Sequence, residues 1–121
     1  MIVTKISDGF GNQLFMYACG YALAKKHKTA LILDINTVTS NNMRRYELDS
    51  LNIEYEKLLQ LSTFSDCIIL KGAGKIQSFV FSHAMHFYKG KINFGYDKEI
   101  SSVKNNTYIS GYWQSEKYFV E

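Results

Sequence analysis

Two glycines around one aromatic residue, followed at once by two amides, make Gly9-Phe10-Gly11-Asn12-Gln13 the stretch best suited to hold an anion. Glycine tolerates positive φ and lets a ligand come close to the backbone. A helix starting behind such a turn offers unpaired N–H groups and a partial positive charge, the combination that favours a phosphate or diphosphate. The spacing is not the dinucleotide fingerprint Gly-x-Gly-x-x-Gly, because Leu14 stands where the third glycine belongs, and no Gly-Lys-Ser/Thr follows to make a phosphate-binding P-loop. The plainer alternative is a tight strand-to-helix turn with Asn12 near the cap.

Other residues with chemical capacity are fewer. Asp34 closes a short apolar run, where open α/β sheets place ligand-contacting groups, although an acid capping a turn would look the same. His83 and His86 are spaced for one face of a helix and could touch one metal, but no further ligand accompanies them, so no metal is expected. Tyr112, Trp113 and Tyr118 could stack on a sugar ring or simply pack. Glu116 reads as a helix-start acid, and no residue is assigned as a catalytic base. Cys19 and Cys67 form no Cys-x-x-Cys pair; Cys19 lies in an apolar run and reads as a small buried residue.

The elements that must position the turn follow from periodicity. Ile2-Val3-Thr4-Lys5-Ile6 alternates and is β-branched, a first strand. Leu14 to Ala24 is nearly all apolar or small, a buried helix ending in the cations Lys25, Lys26, His27 and Lys28. Ala30 to Asp34 is a second strand. Strand, glycine turn, helix and strand make a βαβ unit with parallel strands and a right-handed crossover. Farther along, residues 35–43 read as loop, 55–61 as helix, 68–70 as a short strand, 76–88 as helix and 89–106 mostly as loop. Thr107 to Trp113 reads as a strand leading into a helix start at Ser115-Glu116-Lys117. The fold class expected is α/β, a Rossmann-like βαβ half-domain.

The 121 residues suit one domain, and 46% hydrophobic with 15% aromatic residues suffice for a core. A net charge of +3 is spread in small groups, Lys25-Lys26 with Lys28 and Arg44-Arg45, so no nucleic-acid partner is expected; an anionic small molecule suits it equally. No secretory signal and no run of about twenty apolar residues is visible. The Asn105-Asn106-Thr107 sequon would matter only in a secreted protein.

Three blocks carry a resemblance. Gly9 to Ala18 with Gly20 to Ala24, then Arg45-Tyr46-Glu47-Leu48, then Gly111-Tyr112-Trp113-Gln114-Ser115-Glu116-Lys117-Tyr118-Phe119 stand in the order found in glycosyltransferase family 11, the α-1,2-fucosyltransferases. The chain resembles the N-terminal half of that family, residues 55–100 matching only loosely. The resemblance implies a two-lobed, GT-B-like transferase of which residues 1–121 are the N-terminal lobe. Such enzymes move fucose from GDP-fucose to the 2-hydroxyl of a galactose-containing acceptor glycan, with inversion and without a required metal or cofactor. It further implies a donor-diphosphate site at Gly9, Phe10, Gly11, Asn12 and Gln13, with Asn12 in direct contact; sugar contact at Tyr112 and Trp113 rests on their aromatic faces alone. The family's His-x-Arg-Arg-Gly-Asp block is absent. An inactive isolated chain is therefore expected, with a non-catalytic remnant or a glycan- or nucleotide-binding module as the alternative. The chain stops after Tyr118-Phe119-Val120 like a helix cut short, so uncovered apolar surface should favour association with the missing lobe or with itself. The expected location is the cytoplasm, with peripheral association at the inner face of a membrane as the alternative.

Overall fold

A computed structural model describes residues 1–40, 44–55, 57–59, 86–91 and 95–120. Strand β1 (Ile2–Lys5) leads through a two-residue bend into helix α1 (Phe10–His27), which returns the chain to strand β2 (Leu31–Asp34). The short helix α2 (Asn36–Ser40) follows, then β3 (Lys57–Leu59), β4 (His86–Lys89) and β5 (Thr107–Ser110). Single 3-10 turns occupy Leu48–Ser50, Lys98–Ser102 and Glu116–Tyr118. The five strands form one parallel sheet in the order β3-β2-β1-β5-β4, with β1 at its centre. The expected α/β class and βαβ unit are both present.

Strand β1 is central because its residues are apolar or small on both faces; Ile2, Val3 and Thr4 are all buried. The register sets Ile2, Leu31 and Thr107 in one row and Thr4, Leu33 and Ile109 in the next. Helix α1 lies over that face through Met16, Cys19, Gly20, Leu23 and Ala24. Each large apolar side chain so covered contributes roughly 1.5–3 kcal/mol. The helix approaches closely at Gly20: a Cβ there would stand 2.8 Å from Thr4 Cγ2. Thr4 Oγ1 also donates to the Met16 carbonyl, 3.2 Å away.

The helix ends as its cations suggest. Lys28 takes the left-handed conformation at φ 50° and ψ 50°. Its N–H donates to the Lys25 carbonyl and that of Thr29 to the Ala24 carbonyl, each at 3.0 Å, a Schellman closure with lysine in glycine's usual place. Lys25, Lys26 and His27 in the last turn complement the negative end of the helix.

Three expectations are corrected. Residues 57–59 form an edge strand paired to β2, and 86–89 a strand paired to β5, where helices were read. Short apolar runs do not separate the two periods, and Phe87 and Tyr88 are strand-forming aromatics that gain a partner only through tertiary pairing. The polar stretch after β2 holds α2 rather than loop, because the Asp34 carboxylate accepts the Asn36 N–H at its start. The strand read at 68–70 lies outside the described residues, as does His83; with His86 on a strand, the helical pairing of the two histidines falls away.

Candidate functional site

The helix α1 begins four residues earlier than its apolar run suggested, inside the glycine segment itself. Asp8, at φ 61°, supplies the left-handed bend that turns β1 into α1, a conformation aspartate tolerates. Gly9 is the N-cap and offers no side chain to the helix start. Gln13 N–H donates to the Gly9 carbonyl at 3.0 Å. The N–H groups of Phe10, Gly11 and Asn12 have no partner among the described residues, and the first turn holds no acid. An eighteen-residue helix thus presents its positive end beside an open backbone.

The three sequence blocks meet at this turn. Arg44, the residue just before the second block, lies across Gly9: a Cβ on that glycine would be 3.4 Å from Arg44 Nη1. From the third, Gln114 Nε2 donates to Asn12 Oδ1 at 2.5 Å. That bond leaves the Asn12 amide nitrogen, a donor, turned away from Gln114. Tyr112 sits beside Asp8, whose accepted hydrogen bond and negative charge hold the phenol in its protonated form and raise its pKa. Ser7 Oγ also donates to Asp8, at 3.2 Å.

Gln13 ties the first and second blocks together and is 0% exposed. Its Nε2 donates to the Asp8 carbonyl at 2.9 Å and to the Arg45 carbonyl at 2.8 Å; its Oε1 accepts the Glu47 N–H at 3.0 Å. Both amide hydrogens are committed, so the expected diphosphate contact does not extend to this side chain. Gln13 acts instead as a buried clamp that brings residues 44–47 over the turn.

The other candidates sort themselves by exposure. Phe10 and Gly11 are exposed and Gly9 and Asn12 half-buried, all four at the mouth of the turn. Tyr112 is 54% exposed and can offer a ring face. Trp113 is 3% exposed, with its indole against Tyr88 at 6.1 Å and edge-on to Tyr118 at 5.4 Å, so it packs and does not meet a sugar. Asp34 is fully buried, accepting from Tyr108 Oη at 2.6 Å and from Asn36 Nδ2 at 2.7 Å. Burial pushes the Asp34 carboxyl pKa upward, against the opposing pull of those hydrogen bonds. It braces the sheet and α2 and is not open to a ligand. Glu116 belongs to the 3-10 turn whose first N–H bond is accepted by Ser115 Oγ. Among the described residues, no group of three His, Cys, Asp or Glu side chains could hold a metal ion. None of their helices is long and apolar enough to cross a membrane.

Arg44 and Gln114 are the site residues that sequence reading passed over. Arg44 counts in the sequence only toward the spread positive charge, and Gln114 stands in the third block without a role of its own. Their signal, a place beside the second block for Arg44 and within the third for Gln114, acquires meaning only once those blocks are folded together.

Comparison with known proteins points to sugar transferases. The chain is 28% identical over 127 aligned positions to an α-1,2-colitosyltransferase of Escherichia coli, covering all of this chain and 41% of that protein. It is 40% identical over 58 residues to the O-antigen biosynthesis glycosyltransferase WbnK of Escherichia coli, covering 44% of this chain and 19% of that protein. The chain therefore spans less than half the length of both relatives. No family model and no solved structure matches it.

Proposed function

We propose that this chain is the N-terminal lobe of a glycosyltransferase of family 11 type, one that moves a deoxy sugar from a nucleoside-diphosphate donor to a glycan hydroxyl in α-1,2 linkage. The observation that carries the reading is the meeting of all three sequence blocks at the N-terminus of α1. Similarity along the whole of this chain to 41% of an enzyme named for α-1,2 transfer supports it. The finer proposal is GDP-fucose as donor and a galactose 2-hydroxyl as acceptor. The colitosyl name of the relative makes a colitosyl donor the rival to be tested beside it.

In this reading the N–H groups of Phe10, Gly11 and Asn12 and the Asn12 amide donate to diphosphate oxygens, and Arg44 adds a full positive charge. As the bond from the sugar to the diphosphate breaks, negative charge gathers on the departing oxygen. Preorganised donors aimed at that charge lower the barrier, each worth on the order of a hundredfold in rate elsewhere. Tyr112 offers its exposed face to the sugar. Transfer itself is proposed to need a second lobe, because the arginine pair of the His-x-Arg-Arg-Gly-Asp block is not in this chain.

Titration of the isotope-labelled chain with GDP tests the site. The Gly11, Asn12 and Arg44 resonances should shift together, and more for GDP than for ADP. Absence of any localised shift at millimolar GDP would remove the diphosphate assignment. A longer protein containing this chain, assayed with GDP-fucose and with a colitosyl donor on a galactoside, tests the reaction. Transfer from neither would end the fucosyl and colitosyl readings together.

A further inference from the structure

We propose that Trp113 is a positioning residue, whose buried indole sets the left-handed turn that aims Tyr112 and Gln114 at the N-terminus of α1. The inference rests on the diphosphate-site reading above and deepens it. Four observations carry it.

The indole sits on a ledge of two glycines. A Cβ on Gly111 would fall 2.6 Å from Trp113 Cζ2, and one on Gly90 would fall 2.8 Å from Cη2. The two glycines follow β5 and β4 directly, and Gly90 N–H donates to the Ser110 carbonyl at 2.8 Å, so the ledge is part of the sheet edge. Next, Trp113 has φ 50°, a region that bulky L-residues avoid and that persists only where the surroundings impose it. Third, its indole Nε1 is buried with no hydrogen-bond partner among the described residues, a cost that ordinary core tryptophans do not carry. Last, the residues on either side are the two from the third block that reach the site: Tyr112 lies beside Asp8, and Gln114 Nε2 donates to Asn12 Oδ1. A strained, incompletely satisfied tryptophan is a poor way to fill a core. It is an effective way to bend a strand end so that its neighbours face the turn, and Ser115 N–H closes the bend onto the Trp113 carbonyl at 2.8 Å.

The experiment uses Gly111→Ala, which changes no residue that touches the turn, and Trp113→Phe, which keeps an aromatic ring on the ledge. Two signals are read: the side-chain amide resonances of Asn12 and Gln114, and the GDP dissociation constant. In Gly111→Ala the two amides should move to solvent-like positions and GDP affinity fall at least fivefold, while amides of Val3 and Leu23 stay in place. Trp113→Phe should show the same pattern more weakly. Trp113 is the sole tryptophan, so the unaltered protein supplies a further reading: GDP should change its emission, and Gln114→Ala should abolish that response. Unmoved amides with unchanged GDP affinity in Gly111→Ala would overturn the proposal. So would a uniform loss of all native signals in both variants together with an indole emission blind to GDP, since Trp113 would then only fill space. If the chain binds no GDP yet the amides still move in Gly111→Ala, the positioning role stands and the diphosphate reading falls.

Discussion

Replacing Gln13 should unhinge the second block from the first while leaving the sheet intact. In Gln13→Ala, three backbone groups lose their partner: the carbonyls of Asp8 and Arg45 and the N–H of Glu47. A buried polar group left unpaired costs about 1–3 kcal/mol. Arg45 itself is exposed, so water can reach part of the vacated space, and the low end applies to each group. Three such losses, with roughly 0.8 kcal/mol for each buried methylene removed, give about 4 kcal/mol. That is a large share of the 5–15 kcal/mol that holds a typical domain together. Gln13→Glu is the sharper probe. It keeps the shape and the acceptor for Glu47 N–H but loses both donors and turns a carboxylate toward two carbonyl oxygens, so above its titration it should cost more than alanine. Urea unfolding followed by circular dichroism gives the magnitude, and hydrogen exchange of the Glu47 amide reports the local release. A loss under about 1 kcal/mol with Glu47 still protected would refute the clamp, because three part-buried bonds cannot vanish at so little cost.

Gly20→Ala should destabilise by about 1–2 kcal/mol in thermal melts, since overpacking against Thr4 outweighs the roughly 1 kcal/mol that alanine gains in helix propensity. Lys28→Gly should do the opposite, stabilising by about 1 kcal/mol and raising Tm by several degrees, as the left-handed C-terminal position loses its steric penalty. Asp34→Asn tests the buried carboxyl through pH. Its pKa is raised in the folded protein, so its favourable contribution is complete below the unfolded value near 4 and is lost as pH rises through the folded value. The stability difference between wild type and Asp34→Asn in urea should therefore be most favourable to wild type at acid pH and shrink as pH rises. A gap that widens instead would contradict the burial argument.

Local pattern revealed the βαβ unit because its signals are local. Alternation marks β1, continuous apolar residues mark α1, and the lysines and histidine mark its end. The helix start was misplaced by four residues because Phe10 to Gln13 carries turn-forming residues that the helix accepts in its first turn, where few backbone bonds are at stake. Strands β3 and β4 escaped notice for a different reason: each is short and acquires its identity from β2 or β5, neighbours in space and not in sequence. The turn at which the blocks meet was legible as a location, through Gly9, Gly11 and Asn12. Its construction was not. Gln13 reaches partners 32 and 34 residues away, Gln114 one 102 residues away, and the Asp34–Tyr108 bond spans 74. Gly111 falls within an expected strand and Gly90 within an expected loop, and neither pattern reveals the indole that rests on both.

The place of β1 in the sheet has a consequence for how the molecule comes into being. Of these five strands the one made earliest is the one that needs neighbours on both sides, Leu31–Asp34 and Thr107–Ser110. The first partner emerges within a few dozen residues, and β1, α1 and β2 can assemble while synthesis continues. The second, beginning at Thr107, emerges only long after β1, α1 and β2 are out. Throughout that interval one edge of this central strand stands open, a template for any passing extended segment. Synthesis at about 5–20 residues per second leaves the edge exposed for several seconds, long enough for a chaperone or an aggregate to reach it first.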